Sequence, residues 1–506
     1  MIKSLGFIFR LFGLAHCLKR HGALGAIRDI AGVPNWLPTF AASVTFYIPR
    51  KQNLPKDNGA RLALALVHMG PSYIKAGQTL STRPDLAGPL AKGLETLQDC
   101  LPPFKSDDAV GVIEKDLEGS LDLHFSSFDK EAIAAASIAQ VHRATLKDGT
   151  PVAVKVLRPG IRQKFAKDLE LFYWLARLVD KTVKGQRLKA QQVIETIEKS
   201  IHHELDLRLE AAAAEELRAT MLHQKNYRIP KVYWNQTSER VLTTEWIDGI
   251  KVNDVEALKA KGHDMEKIAK TLVQTFLTQA MTYGFFHSDL HPGNLLVEED
   301  GTIVALDFGI MGRLSKFERR YMAKILYGFY KRDYLWVAEL HFDAGYVPET
   351  EDLAEFAQAL RAIGEPIFDK AIEDISSGEL LTQLFATTAR FSMETQPQLL
   401  QLQRTMVMAE GLALQLFPRS NMFLLSSDAL ETWVRENLSP EAYVADFLKE
   451  LPRAVERLPY IIEKLFAEKT AQPQPIKTVE QEGVFKQLLP GVLLSSIVVA
   501  LFVLLG

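Results

Sequence analysis

The sequence predicts an α+β protein of two lobes, a small β-rich one followed by a larger helical one, with helical additions at both ends. Three observations carry this. Residues 137–157, "SIAQVHRATLKDGTPVAVKVL", alternate about a turn with the period of a half-buried hairpin. From about Ser315 to Thr470 the pattern is nearly all helical, interrupted at Gly345-Tyr346-Val347-Pro348 and at Pro418. Between these regions the stretch "SDLHPGNLLVEEDGTIVALDFG" (Ser288–Gly309) sets three side chains suited to a hard cation, Asp289, Asn294 and Asp307, around a short apolar hairpin.

The 506-residue chain is long enough for a two-lobed body with extensions, and its 47% hydrophobic and 24% charged content is that of a folded protein. Basic and acidic residues nearly balance, 59 against 62, so no global field recruits nucleic acid. Two cysteines, Cys17 and Cys100, exclude a disulfide scaffold and a cysteine zinc site and fit a reducing compartment.

Residues 1–54 open with "MIKSLGFIFRLFGLAHCLKRHGALGAI", apolar but carrying Lys3, Arg10, Lys19 and Arg20, which predicts an amphipathic helix on a membrane surface or on the protein itself. Residues 55–130 read as a helical extension punctuated by Pro and Gly, in which "YIKAGQTLSTRPDL" places Lys75, Gly77 and Gln78 on an apolar helix. Residues 131–250 form the β-rich lobe: the hairpin with Lys155 on its second strand, a helix over 163–184, a long helix over 190–224, and two strands, "PKVYWNQ" and "RVLTTEWIDG". The helical lobe, 251–470, begins with a helix over about 264–283 and the acidic hairpin. Residues 471–484 are polar and contain proline, as a tether does. In 485–506, the stretch Leu488–Gly506 has nineteen residues without a charge. At about 1.5 Å per residue it nearly crosses a hydrocarbon core of about 30 Å. This predicts a transmembrane helix, with Lys486 at the near interface and the body in the cytoplasm.

The acidic hairpin has a chemical reading. Asp300-Gly301 is a strong two-residue turn signal, and an unbulged register about it sets Glu299 opposite Thr302 and Asn294 opposite Asp307. Opposed Cβ atoms lie roughly 4.5–5.5 Å apart, close enough for an amide and a carboxylate oxygen to grip one hard cation. Asp289, in a loop stiffened by Pro292 and allowed to turn by Gly293, can point into the same space. Oxygen donors without cysteine or a histidine cage suit Mg²⁺ holding phosphates.

Three further stretches bear on the chemistry. Lys155 lies among valines, where an unpaired ammonium is costly, so it needs an anionic partner. On the predicted long helix, Glu204 and Glu210 are 120° apart around the axis, so one can meet Lys155 and the other a second lysine. Asp206 lies between them. Finally, "EAIAAASIAQVH" puts alanines where a nucleotide-binding lobe places glycines over phosphates. Alanine permits close approach but resists positive φ, so the loop is expected to be stiff.

Together these stretches resemble the UbiB family of atypical kinases, the ubiquinone-biosynthesis accessory ATPases with a protein-kinase-like fold. The resemblance is carried by "KAGQ", "AAASIAQVHRA", "ELD" with Glu210, "HSDLHPGN" and "LDFG". It spans residues 60–330 most strongly. His287, Asp289, Leu290 and Asn294, then Asp307, Phe308 and Gly309, also satisfy the general kinase signature.

The resemblance implies a bilobal protein-kinase-like fold that uses ATP and Mg²⁺. Ile133, Ala134, Ala135, Ala136, Ser137, Ile138, Ala139, Gln140 and Val141 would cover the nucleotide. Lys155 would contact its phosphates while paired with Glu210, and Glu245 and Ile247 would hold the adenine at the hinge. Asp289 takes the catalytic position; Asn294 and Asp307 take the metal. Lys75 would reach Glu204, in the motif that includes Asp206, and set Gln78 across the mouth of the cleft. Such a segment would disfavour protein substrates and favour ATP hydrolysis or work on a small lipid-like molecule. Ser288 departs from the small apolar residue expected there, a change that should leave the loop intact.

The implied partners are membrane lipids, quinone precursors and other ubiquinone-biosynthesis enzymes, at the cytoplasmic face of the inner membrane. A homodimer is compatible with the same reading. The leading expectation is a membrane-anchored, Mg²⁺-dependent ATPase or kinase. The alternatives are a nucleotide-sensing scaffold with incidental turnover and a Ser/Thr protein kinase.

Overall fold

A computed structural model of the chain describes residues 2–418 except 31–32, 34–35, 82–86, 95–96, 98–101, 181–189, 369–386, 388–389 and 394–396, together with Leu425 and Trp433. The described residues all belong to one compact unit, Met1–Asn437.

The chain begins with four helices, α1 (Ile2–Arg20), α2 (Trp36–Val44), α3 (Asn58–Met69) and α4 (Pro71–Ser81). Asp57 caps α3 by accepting the Ala60 N–H at 2.6 Å. The second half of α1 lies on the protein: Cys17 and Leu18 are buried against Leu62, Ala65 and Leu66 of α3. Arg10 reaches Asp168 at 2.5 Å and the Lys167 carbonyl at 2.6 Å.

After α5 (Ser106–Asp116) comes the small lobe's antiparallel sheet. Its strands are β1 (Phe125–Phe128), β2 (Ala134–Ala135), β3 (Ala139–Leu146), β4 (Pro151–Leu157) and β6 (Val241–Glu245), in the order β1-β3-β4-β6 with β2 on β3. The two-residue period decides which way Lys155 faces. Val152, Val154 and Val156 are fully buried against Ala109, Val112 and Ile113 of α5, so Lys155 projects from the opposite face. The helical extension therefore covers the back of the sheet and leaves its lysine face to the cleft.

Helix α6 (Ile161–Asp180) follows, and the predicted long helix over 190–224 proves to be two, α7 (Ala190–Glu204) and α8 (Leu207–Thr220). Asp206 is the reason for the break. Its backbone is extended, and its carboxylate caps α8 by accepting the Arg208 N–H at 3.1 Å, an alternative to continuing the helix. The angular argument that separated Glu204 from Glu210 on one cylinder therefore does not apply. "PKVYWNQ" is likewise not a strand. Pro230 supplies no ladder donor, and the stretch makes one bridge, Val232 to Thr244, before a 3₁₀ turn at Trp234–Gln236. The strand in this region is β5 (Tyr227–Arg228), which joins the other lobe in parallel with β10 (Ile303–Ala305).

The larger lobe contains a sheet ordered β5-β10-β9-β7, with β7 (Ile250–Lys251) and β9 (Leu295–Val297), and a ribbon of β8 (Phe285–His287) with β11 (Met311–Arg313). Its helices are α9 (Val255–Ala260), α10 (Met265–Leu277), α11 (Lys316–Tyr330), α12 (Tyr334–Asp343), α13 (Leu353–Phe368) and α14 (Pro397–Leu416). Helix α10 runs into a π-helical turn, Thr278–Tyr283, closed by Gly284 at φ 68°. There is no room there for a Cβ, which would crowd the Leu314 carbonyl.

Among the described residues no helix is long and apolar enough to cross a membrane. The tether predicted over 471–484 and the span over 485–506 lie outside the described residues.

Candidate nucleotide and metal site

The site begins with Lys155. Its ammonium lies 2.8 and 3.0 Å from the two carboxylate oxygens of Glu210, on the first turn of α8, and 2.9 Å from Asp307. Strand β4, helix α8 and the acidic hairpin thus each contribute one charge. Burial opposes the charge on Lys155, but Asp307 and Glu210 outweigh it and hold the ammonium protonated above the ordinary lysine range. Burial also lifts the Glu210 carboxyl to about 7, against the pull of Lys155 and with Asp307 adding to the rise. Asp307 resists the same burial because Lys155 and the Gly309 N–H bring its carboxyl down to about 2. Glu210 is 7% exposed and Asp307 43%, so Asp307 is the acid open to a ligand.

The acidic hairpin differs from its predicted register by one residue. Ile303 pairs with Val297, Val304 with Leu296 and Ala305 with Leu295. The loop has three residues, Glu299-Asp300-Gly301: Gly301 adopts φ 86° and its N–H returns to the Glu298 carbonyl at 2.9 Å. Asn294 therefore stands opposite Leu306, whose N–H donates to the Asn294 carbonyl at 2.9 Å, and not opposite Asp307. The slip changes what Asn294 does. Its Nδ2 donates to the Asp289 carboxylate at 3.1 Å and to the Asp289 carbonyl at 3.2 Å.

The Asp289 N–H in turn donates to His287 Nδ1 at 3.2 Å. Nδ1 must then be an acceptor, so Nε2 carries the proton and donates to the Asp307 carbonyl. This neutral tautomer agrees with burial, which lowers the His287 pKa. One imidazole thus ties the backbones of Asp289 and Asp307 together.

With both Asn294 donors on Asp289, its Oδ1 is left as an acceptor, and the Asp307 carboxylate is the accessible acid of the site. That is an all-oxygen donor set, and it fits Mg²⁺ and not a nitrogen- or sulfur-seeking metal.

The alanine-rich segment forms β2 and a tight reversal, with the Ala136 N–H on the Ala139 carbonyl at 2.8 Å. Ile133 is exposed; Ala134 and Ala135 pair with Val141 and Gln140. Arg158 braces the turn, its backbone N–H on the Ile138 carbonyl at 2.8 Å and its guanidinium on the Ala136 carbonyl at 3.0 Å. Ser137, Ile138 and Ala139 are buried. Gln140 is turned to the helical extension: its side chain accepts the Phe104 N–H and contacts His142, both at 2.9 Å. Val141 is the cross-strand partner of Lys155.

At the end of β6 the Glu245 carboxylate points away from Lys155, to Arg228 at 3.0 Å. The Trp246 N–H is taken by the Pro151 carbonyl at 3.2 Å, whereas the Ile247 N–H has no partner among the described residues. Arg228 also forks onto Glu298 at 2.7 Å through two nitrogens. Sequence reasoning missed this residue, because its partners lie 17 and 70 positions away and no local motif marks it. It also missed Gln279, in the π-helical turn, whose Oε1 accepts the His287 N–H at 3.0 Å.

Lys75 pairs with Glu204 at 2.9 Å, at the break between α7 and α8. A Cβ on Gly77 would overlap Leu66 and Leu97, and Gln78 donates to the Leu97 carbonyl at 3.5 Å. Asp206 is occupied by Arg208, whose hydrogen bonds lower its pKa.

A small antiparallel sheet over a helical lobe, with the charged groups gathered between them, places the chain among protein-kinase-like folds. The fold is shared with the solved Rv3197–erythromycin complex from Mycobacterium tuberculosis, at a TM-score of 0.51 and 22% identity, over 72% of this chain and 94% of that one. Residues 96–341 match the ABC1 atypical kinase-like domain, and residues 360–421 match the UbiB helical domain. Proteins named "Probable protein kinase UbiB" are 40% identical: that of Marinobacter nauticus over 89% of this chain and 83% of its own length, and that of Azotobacter vinelandii over 89% and 84%. The chain belongs to the UbiB family of atypical kinase-like proteins.

Proposed function

We propose that the chain binds Mg²⁺ and ATP in this cleft and turns ATP over at a membrane surface in support of ubiquinone biosynthesis. The observation that carries the reading is the ammonium of Lys155 held between Glu210 and Asp307, with Asp289 and Asn294 bonded to each other alongside.

In this reading Lys155 meets the phosphates while Glu210 keeps it in place. Asn294 Oδ1 and Asp307 would hold Mg²⁺, which supplies charge neutralisation for the phosphates. Asp289 orients an attacking hydroxyl or water and accepts its proton, with Asn294 fixing the carboxylate. Glu245 and Ile247 offer backbone groups to the adenine, and the alanine-rich turn covers the nucleotide. The segment from Lys75 to Gln78, tied to Glu204, favours ATP hydrolysis or a small lipid-like acceptor over a protein substrate. The uncharged stretch Leu488–Gly506 anchors the body, and the resemblance to the ubiquinone-biosynthesis accessory proteins suggests quinone precursors and their enzymes as partners.

The test is ATP hydrolysis by the full chain in liposomes, with and without a phenolic quinone precursor, beside Asp307→Asn. Mg²⁺-dependent turnover that the precursor stimulates and the substitution abolishes supports the reading. Absence of Mg²⁺-dependent nucleotide binding would overturn it. Asp289→Asn separates enzyme from scaffold: loss of quinone production with retained ATP binding supports the enzyme, and full complementation supports the scaffold.

A further inference from the structure

The sequence singled out Ser288 only as a departure from the small apolar residue expected there. In the fold every polar group of Ser288 is engaged. Its N–H and its hydroxyl both donate to the Ile310 carbonyl, at 3.2 and 2.9 Å. Its hydroxyl oxygen accepts Gln401 Nε2 at 2.6 Å, and its carbonyl, at 3.0 Å, shares the Thr405 hydroxyl with the Gln401 carbonyl at 2.8 Å. Ser288 is 5% exposed and Thr405 is fully buried.

Gln401 and Thr405 are four residues apart and so share one face of α14. Gln401 also reaches the Met311 carbonyl at 3.3 Å, which brings both sides of the β8–β11 ribbon under one side chain. The helix is fixed in turn, because Leu402, Ala409, Leu412, Ala413 and Leu416 are buried in the main core. It lies within the segment that matches the UbiB helical domain and outside the kinase-like match.

Asn294 sets the Asp289 carboxylate within its own loop, and the His287 ring gives one tie between the backbone of that loop and the Asp307 carbonyl. The loop as a body needs a second constraint relative to Asp307, and Ile310 is three residues beyond Asp307. We infer that the helical domain is a working part of the catalytic site: α14, through Gln401 and Thr405, holds Ser288, and Ser288 locks the Asp289 loop to the strand that follows Asp307. Ser288 and Gln401 are positioning residues, since neither touches the reacting atoms. The inference rests on the reading of Asp289 as the group that meets the acceptor. Positional error at such a group is expressed in turnover before it is expressed in nucleotide binding.

The experiment uses the full chain in liposomes and compares Ser288→Ala, Gln401→Met and the double variant by steady-state ATP hydrolysis and by titration with a fluorescent ATP analogue. Each single variant is expected to lower kcat about tenfold, with KM for ATP within about twofold and nucleotide-binding stoichiometry unchanged. The double variant should lose clearly less than the product of the two single losses, because the two side chains share the Ser288 hydroxyl contact. A wild-type rate in Ser288→Ala, additive losses in the double variant, or a rate that falls only in step with binding stoichiometry overturns the inference. Should Ser288→Ala not fold, Gln401→Met decides by the same two readouts. Wild-type turnover is the separate control: its absence refutes the underlying reading of the site, whereas normal wild-type turnover with unaffected variants refutes the present inference alone.

Discussion

Lys75 and Glu204 form an ion pair of 2.9 Å in which each side chain is about one-tenth exposed, joining the extension helix α4 to the broken helix of the small lobe. Removing one partner of a buried pair leaves an uncompensated charge. Lys75→Met should destabilise the protein by about 3–5 kcal/mol, and Lys75→Met with Glu204→Leu should recover most of that loss. Thermal unfolding in detergent checks the order, with the single variant melting below both the double variant and the wild type.

The pH dependence of stability should carry the signature of Glu210. Its folded-state pKa of about 7 lies above the ordinary 4.5, so the folded state binds this proton more tightly than the unfolded state does. The contribution is fully present below pH 4.5 and is lost as pH rises through 7. Asp307, down at about 2, acts oppositely: it stabilises above its ordinary 3.8 and loses that effect only as pH falls toward 2. Urea midpoints measured at pH 5 and pH 7.5 should therefore decline with pH in the wild type and decline less in Glu210→Gln. Equal slopes would show that Glu210 is already ionised throughout.

Metal dependence should act through Asp307. Chelation with EDTA is expected to weaken ATP binding about tenfold or more in the wild type. In Asp307→Asn, the same chelation should change little, because the charged oxygen donor is already gone. Calorimetric titration of ATP with and without Mg²⁺ reads this difference directly.

Arg228 holds the end of β6 to the acidic hairpin through Glu245 and Glu298. If the end of β6 holds the adenine as proposed, Arg228→Met should raise KM for ATP about three- to tenfold with kcat changed less than about twofold, since the end of β6 shifts and the Asp289 loop does not. Arg228→Lys should not restore affinity, because one ammonium cannot fork onto two carboxylates. Initial-rate kinetics over a range of ATP concentrations separate the two constants.

Much of the candidate site was legible because its residues are announced by local pattern. Lys155 was marked as a lone cation in a strand of valines, and the period of that strand alone turns it to the cleft. Asp289, Asn294 and Asp307 stood out by type and spacing. The errors have local causes too. Gly301 at positive φ lengthened a hairpin loop by one residue, which moved Asn294 from Asp307 to Asp289. Asp206 capped a new helix where composition favoured continuation. In both places a single backbone conformation outweighed a pattern summed over many residues.

What the sequence by itself determined is the identity and order of the chemical groups, because motifs, strand period and turn signals act within a few residues. Which groups meet was decided by the tertiary structure alone. Arg228 and Glu298 are 70 residues apart, Lys155 and Asp307 are 152, and Ser288 and Gln401 are 113. Contacts at that range are set by how helices and sheets pack to bury their apolar faces, and no short stretch of residues encodes the distance between two charges that such packing brings together.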